Sequence, residues 1–342
     1  MPVRLKDIAK DLKLSVVTIS KVLRDHPDIG PETRERVLQR MKELNYRPNL
    51  AARALVTGRT YAAGLIVPDL VHPFFGQVAK AISGILRVKG YSLVLASSDE
   101  DPDLEQQEIE QLLTRRVDVL VVASAQSSGE GFRRIQEQKT PLVLIDRKFE
   151  GLPAHFVGVD DVEVGRIATE HLLDVGCRYP AHIGGPDVST GSGRAAGYRE
   201  ALARRGIEER PGSVVMREHG DDAGERSGYN LMKRLLAQKP RPDGVFCYND
   251  HTALGAMKAV LEAGLEVPDD VAIAGCGNVT YADFMRIPLT TVDQQSSEIG
   301  VRAGKLALSI LEHPLGRPKQ IVLASKLVER ESTRKTKTRK RG

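Results

Sequence analysis

The chain has 342 residues, of which 41% are hydrophobic and 28% charged, so it is long enough for two or three domains with buried cores. This composition excludes an intrinsically disordered chain, and the sequence contains no run of about 18 apolar residues that could span a bilayer. Charges interrupt the N-terminal segment MPVRLKDIAKDLKLS, which therefore lacks the apolar centre of a secretory signal and indicates a cytoplasmic protein.

The net charge of +5 is unevenly distributed along the chain. Residues 1–60 carry a net charge of +6 and residues 326–342 another +6, whereas residues 61–325 carry −7. A basic N-terminal segment attached to an acidic body predicts that this segment alone contacts a polyanion. A basic surface that is merely solvated is the alternative.

Residues 1–46 predict three short helices. The first has apolar residues at helical spacing between Leu5 and Leu12. Ser15 is a good N-cap for a second helix that runs to about Leu23, and Pro31 begins a third. Two short helices joined by a tight turn, with the small residue Ala9 where they cross, are typical of a helix-turn-helix DNA-binding motif.

The outward face of the second predicted helix carries the candidate DNA contacts. Leu14, Ile19 and Val22 are expected to face the packed side. The residues left outside are Ser15, Val16, Val17, Thr18, Ser20 and Lys21. Exposed valines suit thymine methyl groups, a lysine suits a guanine edge, and hydroxyls suit phosphates. A structural three-helix bundle with an ordinary polar face is the alternative.

From Tyr61 onward, short apolar runs alternate with amphipathic helical segments. The runs are continuous rather than alternating, as in parallel strands that are buried on both faces. About eleven such runs are too many for one doubly wound sheet of five or six strands. The pattern therefore predicts two α/β lobes.

Several long segments resemble the lac repressor/galactose repressor (LacI/GalR) family of transcriptional regulators. In the head these are LKDIAKDLKLSVVTISKVLRD and IGPETRERVLQRMKELNYRPNLAARAL. In the rest of the chain they are TYAAGLIVPDLVHPFF, GSGRAAGYREAL, FCYNDHTALGAM and SKLVERESTR. The resemblance covers essentially the whole chain in order. It implies a homodimeric regulator, expected to be a repressor, that binds palindromic operator DNA under the control of a small-molecule effector.

The resemblance also implies roles for individual residues of the head. Val16, Val17 and Lys21 fall at base-reading positions of the family, although many relatives have arginine where Lys21 stands. Residues 49–55 match the family's hinge helix, which folds in a dimer on DNA and inserts a side chain into the minor groove. The implied contacts of this segment are Asn49, Ala52, Arg53 and, as the inserted side chain, Leu55. An ordinary linker helix is the alternative.

The family architecture implies a helix-turn-helix domain followed by a two-lobed, doubly wound α/β core of the periplasmic-binding-protein type. The expected divisions are residues 1–46 for the DNA-binding domain, 47–60 for the hinge helix and linker, 61–330 for the core and 331–342 for a basic tail. By the same analogy, lobe 1 comprises residues 61–159 and 290–320, and lobe 2 comprises residues 160–289 and 321–330.

A cleft between the two lobes is the expected effector site, because open α/β sheets place ligands beyond the carboxyl ends of their strands. The candidate wall residues that follow predicted strands are Phe74, Phe75, Asp160, Thr190, Arg194, Asn249 and Asp250. Arg194 lies where relatives hold a polar group of the ligand. The alternatives are core packing for the two phenylalanines and helix capping for Asp160 and Asp250.

The segment GCGN departs from the family pattern, because Gly277 stands where relatives usually have an aspartate that accepts ligand hydrogen bonds. A sugar or sugar derivative is the first expectation for the effector. A nucleobase, a phosphorylated metabolite and a protein co-regulator remain open. Restoring an aspartate at Gly277 is expected to change the choice of effector.

Two rival functions are weighed against this hypothesis. The run Gly191-Ser192-Gly193-Arg194-Ala195-Ala196 satisfies a dinucleotide fingerprint, but it follows its predicted strand at a distance rather than in a tight turn. The sequence has no common catalytic or metal motif, and Cys177, Cys247 and Cys276 have no zinc spacing. We therefore expect no catalytic residue, metal, cofactor or membrane partner. A secreted sugar-binding protein would need a signal sequence and no DNA-binding head.

Overall fold

The structure of the protein is a computed structural model that describes residues 3–23, 26–46, 54, 57–149, 151–217, 224–314 and 316–334. The chain divides into two compact units, a head of residues 1–60 and a core of residues 61–342. Each unit buries its own apolar side chains: the head has one small cluster, and the core has larger clusters around its sheets.

The head folds as the predicted helix-turn-helix. Its helices are α1 (Leu5–Leu12), α2 (Val16–Leu23) and α3 (Pro31–Glu43). The hydroxyl oxygen of Ser15 accepts a hydrogen bond of 2.9 Å from the Thr18 amide, so the predicted N-cap of α2 is confirmed. Ile8, Ile19 and Val37 have no exposed surface and meet in the centre of the three helices. This small apolar cluster fixes the angle at which α2 is presented.

Two six-stranded sheets form the core. The strands are β1 (Ala62–Val67), β2 (Ser92–Ser97), β3 (Val119–Val122), β4 (Leu142–Ile145), β5 (His155–Val159), β6 (Pro180–Ile183), β7 (Val214–Val215), β8 (Gly244–Cys247), β9 (Ala272–Cys276), β10 (Thr290–Asp293), β11 (Gln320–Leu323) and β12 (Lys326–Val328). The first sheet has the order β11-β5-β4-β3-β1-β2 and is parallel throughout. The second has the order β12-β10-β9-β8-β6-β7, with β12 antiparallel.

Helices cover the sheets, which gives the predicted doubly wound α/β lobes. They are α4 (Pro73–Val88), α5 (Pro102–Thr114), α6 (Arg133–Glu137), α7 (Asp161–Asp174), α8 (Ser189–Arg204), α9 (Gly224–Leu236), α10 (Asp250–Glu262) and α11 (Ser296–Glu312). The central strands β3, β8 and β9 are buried along their whole length, as the continuous apolar runs predict. Among the described residues, every helix is too short or too polar to cross a lipid bilayer.

The chain crosses between the sheets at different residues from those expected. Strand β10 lies in the second sheet and strand β11 in the first, so the expected assignment of residues 290–293 to lobe 1 and residues 321–323 to lobe 2 is wrong. The apolar run 320–328 resembles one strand in sequence, but it breaks at Ala324-Ser325 and supplies one edge strand to each sheet. Lobe 1 is therefore the layer around the first sheet, and lobe 2 the layer around the second.

Residues 331–334 do not belong to the expected basic tail. Glu331–Thr333 form a short 3-10 helix in which Ser332 and Thr333 are fully buried. The Ser332 hydroxyl donates to the carbonyl of Ile273 at 2.6 Å and accepts from the amide of Thr290 at 2.8 Å. The sequence shows only polar residues here, but their hydroxyls complete the backbone hydrogen bonding of β9 and β10.

Replacing Ser332 by alanine should therefore destabilise the core. The change leaves a buried carbonyl and a buried amide without their partner, which costs about 1–3 kcal/mol in the free energy of unfolding. Urea unfolding followed by circular dichroism measures the loss. The matched control is Ser127→Ala in an exposed loop, which should leave the unfolding midpoint unchanged. Equal unfolding midpoints for Ser332→Ala and Ser127→Ala would contradict the stabilising role of the Ser332 hydrogen bonds.

Candidate functional site

A cleft between the two lobes is the principal cavity of the described core, with a volume of about 840 Å³. Its walls are the carboxyl end of β9 and the segments that follow β1, β2, β4, β6, β7, β8 and β10. All these strands run parallel to their neighbours in their own sheet, and only β12, which is not among them, is antiparallel, so their carboxyl ends face the same space. The cleft thus lies where the fold predicts a small-molecule site.

Four of the seven residues predicted from strand ends line the cleft: Phe74, Phe75, Arg194 and Asn249. The rings of Phe74 and Phe75 meet edge to face with centroids 5.0 Å apart, and they form an apolar wall in lobe 1. Both side chains also belong to the hydrophobic core, so they line the cleft and pack in the core at the same time. Arg194 and Asn249 approach from lobe 2.

The other three do not line the cleft. Asp160 caps α7 by accepting hydrogen bonds from the amides of Val162 and Glu163. Thr190 is fully buried, and its hydroxyl lies 2.7 Å from the hydroxyl of Tyr248. Asp250 is fully buried as well, but the N-cap of α10 is its neighbour Asn249. These residues support the wall from behind rather than facing a ligand.

Asp250 instead ties together the loop that contains Gly277. Its carboxylate accepts from the Val279 amide at 2.9 Å and from the Thr291 hydroxyl at 2.6 Å. Gly277 lies outside the cavity lining, has a φ of +125°, and a Cβ there would lie 3.6 Å from the carboxylate of Asp250. An aspartate at Gly277 would combine a strained backbone with charge repulsion, so our expectation that it restores a ligand contact is corrected.

Charged residues that the sequence analysis missed dominate the lobe 1 wall. Arg147 is buried, and its two terminal nitrogens donate to Glu100 at 2.8 and 3.2 Å. Burial alone would raise the pKa of Glu100, but the charges of Arg147 and Arg217 hold that pKa below its usual value. The polar pair Asp146-Arg147 directly follows the apolar strand β4, so the sequence pattern does not distinguish it from an ordinary loop.

Arg194 forms the corresponding buried cation of lobe 2. Its Nε donates to Asp161 at 3.0 Å, one terminal nitrogen donates to the Tyr248 carbonyl at 2.7 Å, and its guanidinium lies 4.6 Å from the centre of the Tyr248 ring. A carboxylate, a carbonyl and an aromatic face thus compensate the buried charge. These contacts hold the guanidinium in one orientation at the cleft.

Polar contacts join the lobes across the cleft. Nε2 of His72 in lobe 1 lies 3.2 Å from the side-chain amide of Asn249 in lobe 2, and the His72 ring lies against the ring of His251, with centroids 4.4 Å apart and the planes tilted by 32°. The side-chain amide of Gln294 reaches Asp146 at 3.4 Å. A change in lobe closure must break or rearrange these contacts.

The glycines of the dinucleotide-like run have a packing role. A Cβ on Gly191 would lie 2.0 Å from the Pro186 carbonyl, and one on Gly193 would lie 2.8 Å from the Cβ of Asp161 in α7. Helix α8 can therefore lie close to the preceding loop and to α7 only with glycine at these positions. This packing accounts for the fingerprint without a nucleotide.

The helix-turn-helix residues that are predicted to contact DNA lie on α2 and directly before it. Val16 is 45% exposed and Val17 is 63% exposed, although both begin a helix of a small domain. The hydroxyls of Ser15 and Thr18 lie 2.8 Å apart at the same end. Nζ of Lys21 lies 3.2 Å from the carboxylate of Asp28, a contact that a base would have to replace. The hinge residues Asn49, Ala52, Arg53 and Leu55 lie outside the described residues.

A helix-turn-helix head followed by a two-lobed core with a polar interlobe cleft defines a ligand-controlled, DNA-binding transcription regulator. The family model for bacterial regulatory proteins of the lacI family matches residues 4–49, and that for the periplasmic binding protein-like domain matches residues 169–333. The chain is 32% identical over 334 residues to the ribose operon repressor of Halalkalibacterium halodurans, covering 96% of this chain and 97% of the relative.

Solved structures agree with these matches. The lac repressor dimer bound to operator and the anti-inducer ONPF has a TM-score of 0.85 at 24% identity, covering 97% of this chain and 99% of that one. A LacI family transcriptional regulator from Enterococcus faecium with bound ribose has a TM-score of 0.71 at 26% identity, covering 81% and 100%. The chain belongs to the lacI family of regulators. It is a DNA-binding regulator with an effector-binding core, and not an enzyme.

The environment of His72 predicts a pH dependence of stability. Burial, aided by the charges of His251, Arg194 and Arg147, lowers the pKa of His72 to about 3. The unfolded chain binds this proton near pH 6.5, so the stabilising contribution is complete above pH 6.5 and is lost as the pH falls from 6.5 toward 3. Between pH 7.5 and 5.5 the loss is about 1.4 kcal/mol.

The test compares urea unfolding of the wild type and His72→Asn at the two pH values. Asparagine also caps helices, so it keeps the N-terminus of α4 while removing the titrating ring. The variant should lose less stability on acidification than the wild type, by up to about 1.4 kcal/mol. The other buried histidines, such as His182, contribute equally to both proteins and cancel. The same loss of stability in the wild type and in His72→Asn would contradict the assignment of this pH dependence to His72.

Proposed function

We propose that this regulator is a homodimeric repressor that binds a near-palindromic operator and responds to a sugar or sugar derivative in the interlobe cleft. The observation that carries the proposal is the convergence of carboxylate, guanidinium and amide groups from both lobes on one cavity beside the wall of Phe74 and Phe75. A ligand that touches both lobes has different affinities for their open and closed arrangements, and this difference can control DNA binding.

The chemistry of the cleft favours a ring with many hydroxyl groups. Asp146, Asn249 and Gln294 offer planar acceptors and donors that suit neighbouring hydroxyls. The phenylalanines offer an apolar surface for the C–H face of a sugar ring. The ribose-bound regulator of Enterococcus faecium and the ribose operon repressor of Halalkalibacterium halodurans support a sugar as the first class to test.

The proposed DNA contacts follow from the exposed face of α2. Val16 and Val17 would contact thymine methyl groups in the major groove, and Lys21 would reach a guanine edge after leaving Asp28. The surface pair Lys21–Asp28 contributes at most about 1 kcal/mol, so a base can displace it. Ser15, Thr18 and Ser20 are assigned to phosphates. The proposed minor-groove contacts of Asn49, Ala52, Arg53 and Leu55 rest on sequence resemblance alone.

An exposed apolar surface on lobe 2 supports self-association. Phe284 is 83% exposed, and beside it in the chain Met285 and Ile287 line a groove of about 470 Å³ with residues of α10. Large apolar side chains at such a position are costly in a monomer. A second copy is the proposed occupant, because a two-fold dimer presents two identical heads to a palindromic site.

The function is tested by selecting bound duplexes from a random DNA pool and titrating the winner with a panel of monosaccharides. Affinity for the selected duplex should fall about 10³-fold or more between about 50 and 200 mM salt, because phosphate binding releases counterions. A sugar in the panel should shift the titration. A flat salt dependence would contradict the DNA-binding surface, and a wild type unaffected by every sugar would contradict the effector class.

In the same assay, Asn249→Ser should weaken the response to the active sugar about tenfold, because serine caps α10 but cannot make the amide contacts. The matched control is Asn230→Ser on the exposed side of α9, which should respond as the wild type does. An unchanged response to the sugar in the Asn249→Ser variant would contradict the proposal that the effector binds in the interlobe cleft.

The dimer is tested with Phe284→Asp. A charge on the apolar surface should convert the protein to a monomer in sedimentation experiments and weaken operator binding about 100-fold, because the two heads no longer bind as one unit. The control Val88→Asp changes a residue that is 84% exposed at the end of α4 and should stay dimeric. A dimer that persists in the Phe284 variant would place the interface elsewhere.

A further inference from the structure

The described wall of the cleft carries more negative than positive charge. Three arginines line it, Arg147, Arg194 and Arg217. Six carboxylates line it, all from lobe 1: Asp69, Asp99, Glu100, Asp101, Asp103 and Asp146. A ligand that enters this space therefore meets a negative field before it reaches an arginine.

The chain's own carboxylates already compensate these arginines. Glu100 occupies both terminal nitrogens of Arg147, and its Oε2 lies 4.0 Å from Arg217 of the opposite lobe. Asp161 holds Arg194 from behind the wall. Glu100 thus occupies the position between two cations that a phosphate or carboxylate of a ligand would need.

Helix α5 offers no further anion site, although its N-terminus also faces the cleft. Asp101 caps it by accepting from the amides of Asp103 and Leu104 at 2.8 and 3.3 Å. Asp103 adds a second carboxylate in the first turn. The partial positive charge of the helix end is therefore offset before any ligand arrives.

We propose that Glu100 is a specificity-determining residue that excludes phosphorylated and carboxylated effectors and restricts the cleft to uncharged polyhydroxylated ones. This inference rests on the proposed effector role of the cleft. A phosphate ester carries nearly two negative charges at pH 7 and would have to displace Glu100 from Arg147. An uncharged sugar can instead hydrogen-bond to the Glu100–Arg147 pair and leave it intact.

The experiment uses the full chain and isothermal titration with D-ribose, D-galactose, their monophosphates and inorganic phosphate. In the wild type, each monophosphate should bind at least about tenfold more weakly than its parent sugar, as expected for one added repulsive contact near a protein surface. In Glu100→Gln this ratio should shrink at least about tenfold. A monophosphate that binds the wild type as tightly as its parent sugar would overturn the inference.

The matched control is Glu110→Gln, which removes another paired glutamate of lobe 1 that lies on α5 opposite Arg134 and outside the cleft lining. It should leave the ratio unchanged. A ratio that shrinks as much in this variant as in Glu100→Gln would overturn the assignment to Glu100, as would an unchanged ratio in a folded Glu100→Gln.

The Glu100→Gln variant leaves Arg147 buried without the carboxylate of Glu100, which can destabilise the fold. Thermal unfolding of each variant is therefore measured alongside the titrations. If Glu100→Gln does not fold, the salt dependence of binding to the wild type tests the inference instead. Screening should reduce the discrimination against monophosphates as salt rises from about 50 to 500 mM, and discrimination independent of salt would overturn the inference.

Inorganic phosphate separates this inference from the proposed function. If Glu100→Gln binds phosphate and the wild type does not, the charge assignment holds even when no sugar binds either protein, and only the sugar hypothesis fails. If sugars bind the wild type but Glu100→Gln gains no affinity for phosphate or monophosphates, the sugar hypothesis stands and the role of Glu100 fails.

Discussion

The compensation of buried charge is the constraint on which the interlobe cleft depends. Arg147 and Arg194 have almost no exposed surface, and an arginine stays charged at any pH at which the protein is folded. Each can be buried only where a carboxylate and a backbone carbonyl converge on it, which Glu100 and Ser124 do for Arg147. These pairs fix the loops after β2, β3 and β4 relative to one another. The shape of the ligand wall is thus set by electrostatics as much as by apolar packing.

Much of the architecture could be predicted from the sequence, because its signals are local or periodic. The cap at Ser15 and the apolar spacing of α1 predict the head, and continuous β-branched runs predict the buried parallel strands. The pairing of strands is not local. Run 320–328 divides between two sheets at Ala324-Ser325, which nothing in its hydrophobicity indicates.

Part of the site was predictable from the rule that open α/β sheets place ligands beyond the carboxyl ends of their strands. That rule found Phe74, Arg194 and Asn249 but could not distinguish residues that face the cleft from residues that brace it, such as Asp250. It also missed Glu100, because the residue follows β2 within the acidic segment SSDEDPD, which resembles an ordinary solvated loop. Only the three-dimensional pairing with Arg147 shows that this carboxylate is held in place.

The division of run 320–328 between the sheets has a consequence for the order of folding during synthesis. Lobe 1 begins with β1 but takes α11 and its edge strand β11 from residues that follow nearly all of lobe 2. Neither sheet can gain its last strand until the ribosome has passed residue 320, whereas the three helices of the head end by residue 43. A nascent chain therefore completes its head long before either sheet gains its last strand, and until then each sheet keeps one edge with unpaired backbone groups.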